Sequence, residues 1–210
     1  MDFDDEEYQE VSGWTSSSES DENDPDSSIL AVTPYSRITS YQNPVPIARK
    51  TLLPGHRPPH DPKRELAILR LLKDRCPEGE STATHNIIPL LSFEIFPSGR
   101  IVLDFPLMQM DLKQVYLERK EEIVKDPEQV NYMLRRFLEI LSALNWCFEL
   151  RIIHRDVNPS NILLSNDLRE PAFLADFGIA WMEGYPDDAD AGVDKYSSGV
   201  GTGYKDRGFC

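Results

Sequence analysis

The chain has 210 residues and a mass of 24.0 kDa, and its hydrophobic fraction of 40% excludes a wholly disordered chain. Asp and Glu outnumber Lys and Arg by 36 to 22, for a net charge of −14, which argues against binding to nucleic acid because phosphate backbones repel it. The sequence has no C-x-x-C pair, no signal-peptide pattern at its start and no apolar run near the roughly 18 residues of a membrane span. These features predict a protein of a reducing compartment, the cytoplasm or the nucleus, that does not insert into a membrane.

Acidic side chains are concentrated at the start of the chain. Residues 1–28 hold eleven Asp and Glu side chains and no Lys or Arg, and the segment is rich in serine. Because such a composition cannot bury enough apolar surface to offset the entropy of ordering, we expect a disordered tail. A solvated leader is the favoured interpretation, and a tail for acid-directed phosphorylation is the alternative.

Residues 29–53 are predicted to form strands and turns. Residues 35–41 mix β-branched, aromatic and polar side chains, which is typical of a strand. Residues 45–53 (VPIARKTLL) predict a second strand, in which Pro46 favours an edge or a first paired position.

A helix is predicted next. Asp61 is a suitable N-cap, Pro62 suits the first helical turn, and leucines recur at helical spacing as far as Lys73. Two strands, over residues 87–93 and 100–105, are then joined by a Pro-Ser-Gly turn.

The longest predicted helix covers residues 127–150. Asp126 can cap it, Pro127 takes the first position, and Gln129 gives the start a capping-box pattern. Its polar stripe is narrow, and a helix that is apolar over so wide an arc is expected to have neighbours on several sides. Short strands at 152–153, 162–164 and 172–175 and a polar, mobile loop over 183–200 complete the predicted elements.

The chemistry is concentrated in two motifs. His154-Arg155-Asp156 is followed five residues after the Asp by Asn161, and Asp176-Phe177-Gly178 begins fifteen residues beyond Asn161. In this order and spacing they resemble the catalytic loop and the metal-binding D-F-G of eukaryotic protein kinases. Phosphoryl transfer needs its charge neutralised and its reacting atoms held in line, and oxygen ligands suit the metal ions involved. The resemblance implies ATP and Mg²⁺ as cofactors, with Asn161 and Asp176 as metal ligands and Asp156 as the residue that orients the substrate hydroxyl.

The resemblance extends upstream. Ile47-Ala48-Arg49-Lys50 is similar to the V-A-x-K strand of the family, which implies that Lys50 holds the α- and β-phosphates of ATP and is a catalytic residue beside Asp156. The segment RELAIL that begins at Arg64 resembles the regulatory C-helix, with Glu65 as the partner of Lys50. Without the downstream motifs, an exposed strand lysine and a surface glutamate would be the preferred interpretation.

Residues 101–112 resemble the fifth strand and the hinge of the family. On that register Phe105 is the gatekeeper, and the carbonyl of Pro106 and the amide of Met108 would meet the adenine edge. The Met-Asp-Leu-Lys that follows is similar to the cyclin-dependent kinases and to the kinases that activate them. The resemblance also implies a packed column formed by Leu69, Leu90, His154 and Phe177. The complete ATP-binding set that it implies is Lys50, Ala48, Glu65, Phe105, Pro106, Met108, Leu163 and Asp176.

Four features depart from the family pattern. No glycine lies between Gly13 and Gly55, where a G-x-G-x-x-G loop belongs, so the first strands are expected to be missing or eroded. Asn158 stands where Ser/Thr kinases usually have a lysine, so a positive charge near the transferred group is lost. The segment GTGY that begins at Gly201 is not followed by A-P-E, and the later helices of the large lobe are absent. The helix at 127–150 is therefore expected to expose apolar surface and to leave the chain marginally stable, prone to aggregation or dependent on a partner.

The sequence thus predicts an α+β, protein-kinase-like fold. An antiparallel β N-lobe with a C-helix would occupy residues 29–106, and an incomplete, mainly helical C-lobe would occupy residues 107–210. The predicted function is ATP-dependent phosphorylation of Ser or Thr in protein substrates, with a cyclin-like or other regulatory subunit as a partner. The alternatives are a kinase-like module that binds without turnover, and an incomplete gene product. Candidate phospho-acceptors in the activation segment are Tyr196, Ser197, Ser198 and Thr202.

Overall fold

The computed structural model describes residues 27–42, 45–54, 59–165 and 170–185 of the chain. Its first part is an antiparallel sheet with the strand order β1-β2-β3-β5-β4. The strands are β1 (Ser27–Val32), β2 (Ser36–Tyr41), β3 (Ile47–Leu52), β4 (Ser92–Ile95) and β5 (Ile101–Pro106). Strand β3 is central, and its Lys50 lies opposite Leu103 of β5.

The hairpin of β1 and β2 is present, so the expectation that the first strands are missing or eroded is wrong. Ser27 pairs with Tyr41 and Val32 with Arg37, and the turn closes through a bond from the Thr33 amide to the Ser36 carbonyl at 2.8 Å. So tight a turn forms here without glycine. The sheet begins two residues inside the segment 1–28 that the sequence assigns to the tail, and residues 1–26 lie outside the described ranges.

Helix α1 (Pro62–Asp74) begins as the sequence predicts. The Asp61 carboxylate accepts the amides of Lys63 at 3.0 Å and Arg64 at 3.2 Å, and Pro62 needs no amide partner in the first turn. The helix buries a leucine-rich face against the sheet, together with Glu65 near its N-terminus. The cap therefore fixes where the helix starts and, with it, the height of Glu65 above β3.

The predicted strand over 87–93 is shorter than expected. Strand β4 begins only at Ser92. The preceding Ile87, Ile88 and Leu90 are buried in the core but do not belong to this strand. Ile87 forms an isolated parallel bridge with Leu174 further along the chain. This stretch thus connects the sheet to the helical part of the molecule.

The second part of the chain is mainly helical and includes one helix that the sequence analysis did not predict. It contains β6 (Met110–Asp111), α2 (Leu112–Lys125), α3 (Pro127–Glu149), β7 (Ile152–Ile153), β8 (Ile162–Leu164), β9 (Phe173–Leu174) and β10 (Trp181–Met182). The unpredicted helix is α2. The small strands form two sheets, β6-β8-β9 and β10-β7. The activation-segment hydroxyls from Tyr196 onward lie outside the described residues.

Helix α3 buries one stripe and exposes another. Arg136, Ile140, Ala143 and Cys147 recur at helical spacing on the buried side. The expected exposure of apolar surface is confirmed within the described residues: the opposite face carries Leu134, Phe137, Leu138, Leu141 and Phe148, each more than half exposed. The apolar side chains of α3 cover more of its circumference than the described residues bury. Among the helices of the described ranges, none has the length and apolar character needed to cross a bilayer.

Candidate active site

A buried ion network joins the sheet, helix α1 and the segment after β9. The Nζ atom of Lys50 lies 2.6 Å from Oε1 of Glu65 and 2.7 Å from Oδ1 of Asp176. Lys50 and Glu65 are buried, whereas the Asp176 side chain is 44% exposed and faces the cleft. Three residues that the sequence separates widely are therefore brought to one point, as the resemblance implies.

The charges of this network are coupled. Burial alone would lower the pKa of Lys50, but the attraction of Glu65 and Asp176 outweighs it and raises that pKa above its usual range. Burial raises the pKa of Glu65 in spite of the neighbouring ammonium. Burial would also raise the pKa of Asp176, but Lys50 and the Gly178 amide lower it. Lys50 is thus a permanent cation that Glu65 and Asp176 share.

Asp176 adopts a left-handed backbone conformation, with φ of 64°. This conformation is uncommon outside glycine, although Asp tolerates it better than most residues. Its Oδ1 also accepts the Gly178 amide at 3.2 Å, which closes a tight turn around the carboxylate. A Cβ atom at Gly178 would lie 3.1 Å from Asp176 Oδ1 and 3.2 Å from His60 Nδ1, so a larger residue would need these side chains to shift by a few tenths of an ångström.

The Asp156 carboxylate is held by two amides from its own loop. Asn158 Nδ2 donates to Oδ1 at 2.9 Å, and Asn161 Nδ2 donates to Oδ2 at 2.9 Å. Asn158 also accepts the Ser160 amide at 2.9 Å, as the cap of the 3₁₀ turn Pro159–Asn161. The carboxylate is therefore oriented before any substrate arrives, by hydrogen bonds from neutral groups.

The loop that carries Asp156 is tied directly to the segment that carries Asp176. The Ala175 amide donates to the Asn161 carbonyl at 2.9 Å, and Nε2 of His154 lies 3.1 Å from the Ala175 carbonyl. The His154 and Phe177 rings pack edge to face at 4.7 Å. Leu69 and Leu90 are buried in the same core as Phe177, so all four residues of the column implied by the resemblance are interior.

The residues expected around an adenine lie on β3, β5 and β8. Ala48 pairs with Phe105, and Ile47 pairs with Pro106. Leu163 is half-buried between the fully buried Ile162 and Leu164, so alternation along β8 turns it to the other face. Met108 follows β5 and is also half-buried. Their contact with a nucleotide remains a prediction.

The donor set fits a hard cation. Asn161 donates its amide nitrogen to Asp156, so its amide oxygen is the atom that could bind a cation, and the Asp176 carboxylate is partly exposed. Carboxylate and amide oxygens are the ligands that Mg²⁺ takes together with phosphate. No cluster of three His, Cys, Asp or Glu side chains that could hold a metal occurs among the described residues, so a cation held by Asn161 and Asp176 would take its remaining ligands from water and phosphate.

Two aromatic residues near the network were not identified from the sequence. Tyr35, at the tip of the β1–β2 hairpin, stacks on His60, just before α1, with ring centroids 4.1 Å apart. Burial lowers the pKa of the His60 imidazole below its ordinary value, against the opposing effect of Asp176. Neither residue belongs to a motif, and their contact depends entirely on the fold.

Family comparison assigns residues 64–203 to the protein kinase domain. This range covers about two thirds of the chain and includes Glu65, the Asp156 loop and Asp176. The chain therefore belongs to the protein kinase family, and the predicted α+β, kinase-like fold is confirmed. Strands β1 to β3 and Lys50 precede the matched range, so their place in the site comes from the structure.

Curated proteins similar to the chain are protein-serine/threonine and cyclin-dependent kinases. They include serine/threonine-protein kinase CAK1 of Saccharomyces cerevisiae (29% identical over 153 residues), cyclin-dependent kinase 1 of Encephalitozoon cuniculi (31% over 123) and cyclin-dependent kinase 7 of Dictyostelium discoideum (34% over 125). Each match covers 59% of this chain, which spans 39%, 36% and 29% of those proteins. The predicted resemblance to cyclin-dependent kinases and to the kinases that activate them is confirmed by these relatives.

His154 makes the stability of this site dependent on pH. The Asp156 amide donates to its Nδ1 at 3.3 Å, so the ring proton is on Nε2 and points to Ala175. Burial lowers the pKa of His154, and the charge of Lys50 acts in the same direction. The hydrogen bond to Ala175 and the charges of Asp176 and Asp156 act to raise that pKa, but they are outweighed. The unfolded chain therefore takes up this proton first as the pH falls below about 6.5, and the stability that neutral His154 contributes above that pH is lost.

We expect the free energy of unfolding to fall between pH 7.5 and pH 5.5, with a smaller fall in His154→Phe. Urea denaturation at both values measures it. His60→Phe is the comparison variant, because His60 also has a lowered pKa and contributes to the same fall in stability. The raised pKa of Glu65 changes stability in the opposite direction. A slope that is unchanged in His154→Phe would show that another group titrates.

Proposed function

We propose that the chain binds Mg²⁺·ATP in the cleft between the sheet and the helical part and transfers the γ-phosphoryl group to Ser or Thr hydroxyls of a protein. The observation that carries this proposal is the position of Lys50 Nζ, 2.6 Å from Glu65 and 2.7 Å from Asp176. A buried ammonium beside a partly exposed carboxylate suits a phosphate and its metal ion. The proposal is also supported by the family to which the chain belongs.

The proposal gives each residue of the candidate site a defined role. Ala48 and Leu163 would contact the two faces of the adenine, and Lys50 would donate to the phosphates. Asp156 would accept the hydrogen bond of the substrate hydroxyl and orient its oxygen toward the γ-phosphorus. The chemistry that Mg²⁺ supplies when bound by Asn161 and Asp176 is neutralisation of phosphate charge. The hydroxyl oxygen forms a bond to the γ-phosphorus, and the bond from that phosphorus to the β–γ bridging oxygen breaks to release ADP. The hydroxyl proton passes to the Asp156 carboxylate.

Nucleotide binding is tested by thermal unfolding of the full chain. Because a ligand that binds only the folded state stabilises it by mass action, Mg²⁺·ATP at about 100 times its dissociation constant should add roughly 2.7 kcal/mol. The shift should be much smaller with ATP and a chelator, since Glu65, Asp176 and Asp156 leave the cleft acidic. Transfer of the labelled γ-phosphoryl group of ATP to a protein that contains Ser and Thr tests the proposed phosphoryl transfer. The absence of any shift with millimolar Mg²⁺·ATP would contradict the proposal.

A second candidate function is nucleotide binding without turnover. Asn158 favours it, because both ends of its amide are engaged within the loop and it carries no charge to neutralise a transferred phosphoryl group. Both candidates predict a thermal shift with Mg²⁺·ATP. Only the kinase would move the label, so the two measurements together separate the candidates.

Protein substrates and a cyclin-like regulatory subunit are further proposals, supported by the names of the relatives. In protein kinases the ion pair between the strand lysine and the helix glutamate must be in place for transfer. Here the Lys50–Glu65 contact is present in the single chain. We therefore propose that a partner, if one binds, acts elsewhere than on this ion pair. A transfer rate that rises on adding a cyclin-like protein would establish the partnership.

A further inference from the structure

The tip of the β1–β2 hairpin has no backbone amide available for an anion. The Thr33 hydroxyl accepts the amides of Tyr35 at 3.2 Å and Ser36 at 3.0 Å, and the Thr33 amide donates to the Ser36 carbonyl at 2.8 Å. Pro34 has no amide hydrogen. Glycine-rich loops bind phosphate with free amides and close backbone approach, and this tip offers neither.

The tip is instead fixed by side chains. The Tyr35 and His60 rings stack with centroids 4.1 Å apart and planes 21° from parallel. His60 immediately precedes Asp61, the cap of the helix that carries Glu65, and its Nδ1 lies close against Gly178. The pair therefore links three elements: the hairpin tip, the start of α1 and the turn that holds Asp176.

The Tyr35–His60 pair borders a small cavity in the cleft. The cavity has a volume of about 160 Å³ and is lined by Ser36, Lys50, Glu65 and Asp176 as well as by the pair. Lys50 and Asp176 are the groups to which the phosphates and the metal ion are assigned above. The stacked rings thus border the part of the cleft assigned to the phosphates, and none of the residues assigned to the adenine lines this cavity.

We propose that Tyr35 and His60 are positioning residues that hold the hairpin over the nucleotide phosphates, in place of a glycine-rich loop. This inference rests on the proposed nucleotide binding. It predicts that losing the stack weakens the binding of the phosphate portion and leaves the adenosine portion unaffected. It also predicts that ring shape matters and that the polar atoms of the two rings do not.

The test measures dissociation constants for Mg²⁺·ATP and for adenosine by calorimetry on the full chain. A stacked aromatic pair is worth about two- to tenfold in an equilibrium constant. Tyr35→Ala and His60→Ala should each weaken Mg²⁺·ATP by about that factor and leave adenosine unchanged, and the double variant should be no weaker than either. Tyr35→Phe and His60→Phe keep two stacked rings and should behave as wild type. Tyr116→Ala, at an exposed aromatic of α2, is the matched control.

Three results would overturn the inference. Equal weakening of both compounds would indicate general damage to the cleft, and failure of the Phe variants would assign the effect to polar atoms. Unchanged Mg²⁺·ATP binding in the Ala variants would show that the stack has no role. In each of these cases wild-type binding stands, so only the positioning role is lost. If the wild-type chain binds neither compound, the proposed nucleotide binding fails and this inference fails with it.

Discussion

Asp156→Asn is expected to reduce phosphoryl transfer by about 10²- to 10⁴-fold, the usual contribution of a positioned proton acceptor, with little change in Mg²⁺·ATP affinity. Both carboxylate oxygens already accept amide hydrogens, from Asn158 and Asn161, so the group is oriented toward its task. Asparagine keeps the shape but cannot accept the hydroxyl proton at its nitrogen. Single-turnover label transfer and calorimetry measure the two quantities separately.

The variant also has a structural consequence that must be controlled. Its new amide nitrogen would face one of the two donating amides, so one loop hydrogen bond is lost. Asp126→Asn provides the matched control, because asparagine caps a helix about as well as aspartate and Asp126 does not line the cavity at Lys50 and Asp176. If Asp156→Asn transfers phosphate at the wild-type rate, Asp156 is not the residue that orients the substrate. Loss of Mg²⁺·ATP binding in the same variant would place Asp156 in nucleotide binding instead.

The sequence predicted elements whose ends are determined locally. The Asp-Pro pairs at 61–62 and 126–127 start helices in the structure at those residues, because a carboxylate that accepts the first free amides acts over only three positions. Helix α2 was missed because its buried side is small: Leu112 and Val115 are interior, while Tyr116 and Leu117 are exposed. Too few positions carry the helical period for it to stand out from the charged residues around them.

The candidate site also has one part that the sequence predicted and one part that it did not. The motif spacing anticipated that Lys50, Glu65, Asp176 and the Asp156 loop would meet, because the resemblance carries the tertiary arrangement with it. The stack of Tyr35 on His60 could not be anticipated, since no period or motif relates the two positions. Their contact requires the hairpin, the Asp61 cap and the Gly178 turn to be in place together. The absence of glycine suggested eroded strands, whereas the Thr33 hydroxyl closes the turn.

Lys50→Met is expected to lower the free energy of unfolding by about 3–5 kcal/mol, the usual cost of removing one partner from a buried ion pair. Glu65 is only 2% exposed and would be left without its cation, next to a second carboxylate at Asp176. Domains are typically stable by about 5–15 kcal/mol, so the loss could unfold a large fraction of the chain. Urea denaturation followed by circular dichroism measures the change.

The double variant Lys50→Met with Glu65→Leu separates charge from packing. Replacing a buried pair by apolar residues of similar size is often neutral, so the double variant should recover most of the stability that Lys50→Met loses. Glu65→Gln should cost less than Lys50→Met, because Lys50 keeps Asp176 at 2.7 Å and the amide oxygen of the new side chain can accept the hydrogen bond that Glu65 accepts in the wild type. If Lys50→Met unfolds within about 1 kcal/mol of wild type, the size of a typical surface pair, then Glu65 is reached by water and the network is not the buried core of the cleft.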